Sequence, residues 1–212
     1  MDGIKGVIFD IDGVLLDSME IWTDLGARYL ESLGIEAEEG LAEVLFSMSM
    51  EQGASYLKEH YRLAGTEEDI MESLRGMLRD FYFHEVKAKP GAKELMERFS
   101  NAGIKMTAAT SSPREHVERA LERNGLLGSL SRIFTVAETG ISKHSPDIYD
   151  RAAAYMGTSR SETLVFEDSL YALKTAADAG YRTAGVFDAK GEADQKGMQE
   201  TAEIYVRSLE TI

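Results

Sequence analysis

Residues 7–18 read Val-Ile-Phe-Asp-Ile-Asp-Gly-Val-Leu-Leu-Asp-Ser, and this string constrains the chain more than any other. The short apolar run Val7–Phe9 predicts a buried strand, and Gly13 predicts its exit into a turn. Asp10 and Asp12 then sit at the carboxyl end of a buried strand, the edge where open α/β sheets bind ligands. Two carboxylates this close raise each other's pKa and call for a cation or a shared proton. A hard divalent metal with oxygen ligands is the simplest solution. An Asp at a strand end is often only a turn former or helix cap. That bland reading suits one Asp in isolation better than it suits this string.

The rest of the chain divides by pattern. Residues 18 to about 85 read as almost entirely helical. Met19, Trp22, Leu25, Tyr29 and Leu33 recur at helical spacing, and Gly34 stops the run. Leu41–Phe46, Met50–Tyr61 and Glu67–Phe83 follow as shorter helical patterns, with Thr66 and its following acids forming an N-cap. From Lys89-Pro90-Gly91 onward, strands alternate with helices. Strands are expected at Ile104–Ala109, Ile133–Val136, Thr163–Phe166 and Tyr181–Phe187, with a short edge strand at Ile204–Val206. Such alternation implies right-handed crossovers and a mostly parallel, doubly wound sheet. The expected architecture is therefore α/β, with a core built from residues 1–17 and 87–212. An all-helical insertion spans 18–86, and the hinges lie near Asp17 and Lys89.

The other strand ends carry chemistry as well. The second strand ends in Thr110-Ser111-Ser112, whose hydroxyls and adjoining backbone N–H groups suit a phosphoryl oxygen. Ser112, followed by Pro113 and Glu115, reads as the cap of the next helix, which leaves Thr110 for the ligand. Lys143 precedes a helix opened by Ser145-Pro146. The fourth strand ends in Glu167-Asp168, a second acidic pair. Four acids, a hydroxyl and a lysine at sheet carboxyl ends exceed what capping requires.

In their order, Asp10-Ile11-Asp12-Gly13-Val14, Thr110-Ser111-Ser112, Lys143 with Pro146-Asp147-Ile148-Tyr149, and Glu167-Asp168-Ser169 resemble the motifs of the haloacid dehalogenase-like (HAD) hydrolases. The resemblance covers essentially the whole chain and points to the β-phosphoglucomutase-like branch, which carries a helical cap after the first motif. It implies a Rossmann-like core and a Mg²⁺-dependent phosphatase. By position, Asp10 is the implied nucleophile, taking the phosphoryl group as an aspartyl phosphate. Asp12 is the implied general acid, then base. Thr110 or Ser111 binds a phosphoryl oxygen, and Lys143 neutralises charge and steadies Asp10. Mg²⁺ is held by Asp10, the backbone carbonyl of Asp12, Asp168 and Glu167. The cap is expected to close over the site, with Trp22 and the Ser47–Met50 loop facing or flanking it.

Departures from the branch separate the function classes. Trp22 stands where its mutases carry a histidine, and Met50 stands where they carry an arginine for the distal phosphate. A bisphosphate intermediate would lose its anion clamp, which favours hydrolysis over a β-phosphoglucomutase-like phosphotransfer. Intact Asp10, Asp12, Lys143 and Asp168 argue against a non-enzymatic regulator, and Asp12 argues against dehalogenation. Lys58, the only lysine from Gly6 to Val86, is a poor candidate for the Schiff-base lysine a phosphonatase would carry. His144 replaces the proline usual after the motif lysine, and Ala172 replaces a usual glycine. A formal net charge of −14 disfavours nucleic acid and anionic membranes as partners. The absence of cysteine excludes disulfides and thiolate metal sites. With no signal peptide and no long apolar run, the expected setting is cytoplasmic, the expected state a monomer, and the expected partner a small phosphate ester.

Overall fold

A computed structural model describes residues 3–46 and 48–212. Ser47, from the loop singled out above, lies outside the described residues. The chain divides into two compact units, one built from 1–17 and 86–212 and the other from 18–85. Val86 thus groups with the first unit, one residue from the boundary expected at 86 and 87.

The first unit is a six-stranded, wholly parallel sheet in the order β3-β2-β1-β4-β5-β6. Its strands are β1 (Gly6–Phe9), β2 (Lys105–Thr110), β3 (Ile133–Thr135), β4 (Thr163–Glu167), β5 (Arg182–Val186) and β6 (Ile204–Val206). All four residues of β1 are buried, as a central parallel strand covered on both faces requires. Phe9 stacks on Phe166 of the neighbouring strand at 4.9 Å between ring centroids. On the other side of the sheet plane, alternate residues Ile8 and Val165 join Ala109, Ile148, Tyr149 and Met156 in one buried cluster. Strand order reverses around β1, so the carboxyl ends of β1, β2 and β4 meet at the switch point.

The connecting helices mostly start and stop where punctuation in the sequence places them. They are α5 (Ala92–Asn101), α6 (Arg114–Arg123), α7 (Val136–Thr139), α8 (Asp147–Met156), α9 (Leu170–Asp178) and α10 (Gln195–Thr201). Gly157 closes α8 in the left-handed conformation, with φ of 71°. Gly91, at the start of α5, has φ of 81°, and a Cβ there would lie 2.4 Å from the backbone nitrogen of Glu210. Val136, expected to end β3, instead starts the one-turn α7, capped by the Thr135 hydroxyl accepting from the Glu138 N–H.

After β1 the chain turns tightly. Gly13 takes φ of 71°, and the Ile11 carbonyl accepts N–H bonds from Leu15 and Leu16 at 2.9 and 2.8 Å. The outgoing and returning segments then lie side by side. Leu16 bridges Ala88 in antiparallel fashion, the Asp17 N–H donates to the Lys87 carbonyl, and the Lys89 N–H donates to the Leu15 carbonyl.

The second unit consists of α1 (Met19–Ser32), α2 (Leu41–Phe46), α3 (Met50–His60) and α4 (Glu67–Asp80). Its own core contains Tyr29, Leu30, Leu41, Leu57, Ile70 and Leu74. Thr66 caps α4 as expected, accepting from the Asp69 N–H while the Asp69 carboxylate accepts the Thr66 N–H. The expected single helix from Glu67 to Phe83 instead widens into a π-helical turn at Phe81–Glu85. Phe81 and Tyr82 are both buried in that turn. No described helix is long and apolar enough to cross a membrane.

Candidate active site

Asp10 leaves the end of β1 and is 8% exposed. Its Oδ1 accepts two hydrogen bonds, from the Ile11 N–H at 2.7 Å and from the Lys143 ammonium at 2.7 Å. Among the described residues Oδ2 takes neither bond, so one oxygen is fixed and the other is left for chemistry. Lys143, from the loop before α8, is 2% exposed and also donates to Glu167 Oε1 at 2.9 Å. Tyr149, one turn into α8, donates its hydroxyl to the same Oε1 at 2.8 Å. Glu167 Oε2 is buried and, among the described residues, accepts no hydrogen bond.

Carboxylate oxygens of Asp10, Glu167 and Asp168 all lie within 4.8 Å of one another. Burial, then the neighbouring carboxylates Glu167, Asp168 and Asp12, push the Asp10 carboxyl well above its ordinary value, against the opposing pull of Lys143. Burial, then Glu167, raise the Asp168 carboxyl to about 7. Burial alone would lower the Lys143 ammonium, yet Asp10 and Glu167 hold it above its usual value. One ammonium therefore faces an excess of carboxylates, and the cluster is short of positive charge.

These groups fit a hard cation. Three oxygen donors converge, and one of them, Glu167 Oε2, is an orphaned buried acceptor of the kind that native interiors avoid. An all-oxygen donor set suits Mg²⁺ and not a thiolate metal. The Asp12 carboxylate is not one of the converging three. Its Oδ2 accepts a 2.6 Å hydrogen bond from the Ser112 hydroxyl.

That bond corrects the reading of the second strand's end. Ser112 does not cap α6; Pro113 occupies the cap position and no side chain caps it. Ser112 instead steadies Asp12. Thr110 keeps its O–H available to donate. It is fully buried, and its Oγ1 accepts the Ser112 N–H at 3.0 Å. Ser111 is the exposed hydroxyl of the three.

Several partners were not read from the sequence. Tyr149 lies in a quoted motif, but nothing local marks its bond to Glu167. Lys89 and Asp188 form a largely buried ion pair at 2.7 Å beyond the end of β5, and Asp188 contributes to raising Asp168. Asp188 follows an apolar run, the signal that exposed Asp10 and Glu167, and could have been found the same way. Beside the site, the His144 and Tyr171 rings stack at 4.4 Å. Within the helical unit, Trp22 and Met50 line an apolar cavity of about 150 Å³ with Leu25, Leu45, Leu57 and Leu74.

A parallel sheet with carboxylates and a lysine converging at its switch point defines a class of hydrolase cores, and the comparisons agree. Residues 4–180 match the family of haloacid dehalogenase-like hydrolases, and the chain belongs to that family. It is 28% identical over 181 residues to the Thermotoga maritima phosphorylated carbohydrates phosphatase, spanning 84% of this chain and 82% of that one. The fold is shared with a Thermotoga maritima structure provisionally described as a beta-phosphoglucomutase (TM-score 0.87, 24% identity, 98% of this chain and 95% of that one). It is shared too with CbbY from Rhodobacter sphaeroides in complex with xylulose-(1,5)bisphosphate (TM-score 0.72, 21% identity, 98% and 95% covered).

Proposed function

We propose that this protein is a Mg²⁺-dependent phosphatase that hydrolyses small organic phosphate monoesters, phosphorylated carbohydrates among them, through an aspartyl phosphate on Asp10. The observation that carries the reading is the asymmetry at Asp10: Oδ1 is pinned by Lys143 and the Ile11 N–H, so Oδ2 is oriented to attack. Asp10, Asp168, Glu167 and the Asp12 backbone carbonyl would hold the metal. When bound, Mg²⁺ supplies the positive charge that lets a phosphate dianion approach carboxylates.

Asp10 Oδ2 forms the new bond to phosphorus as the bond to the ester oxygen breaks. Asp12, oriented by Ser112, gives that departing oxygen its proton. Asp12 then takes a proton from a water molecule, which attacks phosphorus, releases inorganic phosphate and restores Asp10. Lys143 stays charged throughout, because Asp10 and Glu167 both favour its protonated form. Thr110 or Ser111 would hold a phosphoryl oxygen, with Lys143 neutralising its charge. Met50 stands where the branch's mutases carry an arginine for the distal phosphate, which favours hydrolysis over phosphotransfer.

The test is phosphate release from a panel of phosphorylated metabolites, before and after EDTA. Activity should vanish with EDTA and return with Mg²⁺. Asp10→Asn should lose turnover and should trap no covalent phosphate by intact-mass spectrometry. Near wild-type turnover by Asp10→Asn would overturn the covalent mechanism.

A further inference from the structure

Tyr171 occupies the first turn of α9, three residues beyond Asp168. Its ring stacks on the imidazole of His144 with centroids 4.4 Å apart and planes 29° apart. His144 directly follows Lys143, whose ammonium joins Asp10 to Glu167. The stack is therefore tied by one residue to the charge centre of the site and by three to its acidic pair. Burial, then Lys143, Glu167 and Asp10, act on the Tyr171 phenol, whose pKa is raised overall, and Ser111 reaches the same phenol. The charges that would hold a phosphoryl group thus act on this side chain too.

Tyr171 is nevertheless 42% exposed. Among the described residues of the same unit, Tyr155 is the other exposed large apolar side chain, and its hydroxyl is used by the Ser131 carbonyl. The Tyr171 stack occupies one face of the ring and leaves aromatic surface open beside an anion site. Binding sites combine such apolar surface with a few fixed polar groups, the surface reading shape and the polar groups fixing orientation. An aromatic face favours the C–H face of a sugar ring or a planar base over a short acyclic chain, because it gains contact area without ordering a flexible partner. His144 stands where the resemblance leads one to expect a proline.

We propose that Tyr171, supported by His144, sets substrate preference by packing against a ring in the leaving group, so that cyclic phosphate esters are favoured over acyclic ones. The proposal rests on the phosphatase reading and deepens it. The test compares kcat/KM for ribose 5-phosphate and glucose 6-phosphate with that for glycerol 3-phosphate and phosphoglycolate. Wild type, Tyr171→Ala and Tyr171→Phe are assayed, each checked by circular dichroism. Tyr171→Ala should lower the cyclic-to-acyclic ratio about 3–10-fold, chiefly through KM, the range expected of one aromatic contact. Tyr171→Phe keeps the ring and should hold the ratio within about twofold of wild type. An unmoved ratio in Tyr171→Ala would overturn the proposal, and so would an equal fall in Tyr171→Phe. If the wild type released phosphate from no ester, the phosphatase reading alone would fail. Calorimetric titration of the same esters would then read the same ratio as Kd and decide the role of Tyr171.

Discussion

Replacing Lys143 with methionine should destabilise the sheet-bearing unit by about 3–5 kcal/mol near neutral pH, the usual cost of stranding buried charges. Methionine keeps most of the side chain's length and removes its charge and hydrogen-bond donors. Lys143 is 2% exposed and lies 2.7 Å from Asp10 and 2.9 Å from Glu167. At an effective dielectric near 20, each contact is worth about 6 kcal/mol of gross attraction. Desolvation of the ammonium and repulsion between the two carboxylates offset much of that sum. Removing the lysine strands both carboxylates in a buried cluster that already lacks positive charge. Hydrogen exchange of the β1 and β4 amides reads the stability of this unit directly. The double variant Lys143→Met with Glu167→Gln should recover part of the loss, because one stranded charge is gone. A loss below about 1 kcal/mol in the single variant would refute the claim that Lys143 offsets this charge, since pairs worth so little are typical of exposed surfaces.

Asp12→Asn should lower turnover about 10²–10⁴-fold, and Ser112→Ala should lower it less while shifting the pH profile, since Ser112 acts only by holding Asp12. The metal-free protein should lose stability as pH rises from 3.8 to about 7: folded Asp168 keeps its proton across that window while the unfolded chain has released it. Melting temperatures in EDTA should therefore fall with pH, and the Asp168→Asn variant should flatten the trend. Gly91→Ala should cost at least about 2 kcal/mol by urea unfolding, because alanine disfavours positive φ and its Cβ would strike the Glu210 backbone. Following β-glucose 1-phosphate by ³¹P NMR should show free phosphate; glucose 6-phosphate without phosphate release would favour the mutase.

What the sequence disclosed was local. Apolar β-branched runs ending in acids marked β1 and β4, and Gly and Pro marked most helix ends, because each signal acts on its own few residues. Asp10, Lys143, Glu167 and Asp168 were legible because each closes or follows such a run or opens a punctuated helix. Pairings across the chain were not. Ser112 looked like a cap because Ser-Pro-Arg-Glu is a capping pattern, yet its hydroxyl finds Asp12, 100 residues away. Nothing near Tyr149 or Lys89 announces Glu167 or Asp188, since those contacts exist only once the strands are ordered. The π-turn at Phe81 was hidden because helical periodicity continues through it.

The antiparallel bridge between Leu16 and Ala88, with the two backbone hydrogen bonds beside it, has an evolutionary consequence. It closes the catalytic unit's chain path at a clasp, so the ends of the intervening segment are already adjacent. Loop closure across a clasp costs little extra as the enclosed chain grows, about 0.6 kcal/mol per doubling. Residues 18–85 can therefore be shortened, extended or exchanged without shifting the register of β1 against β2 or β4. Sequence can drift in that segment while the carboxylates and lysine at the strand ends stay where the chemistry needs them.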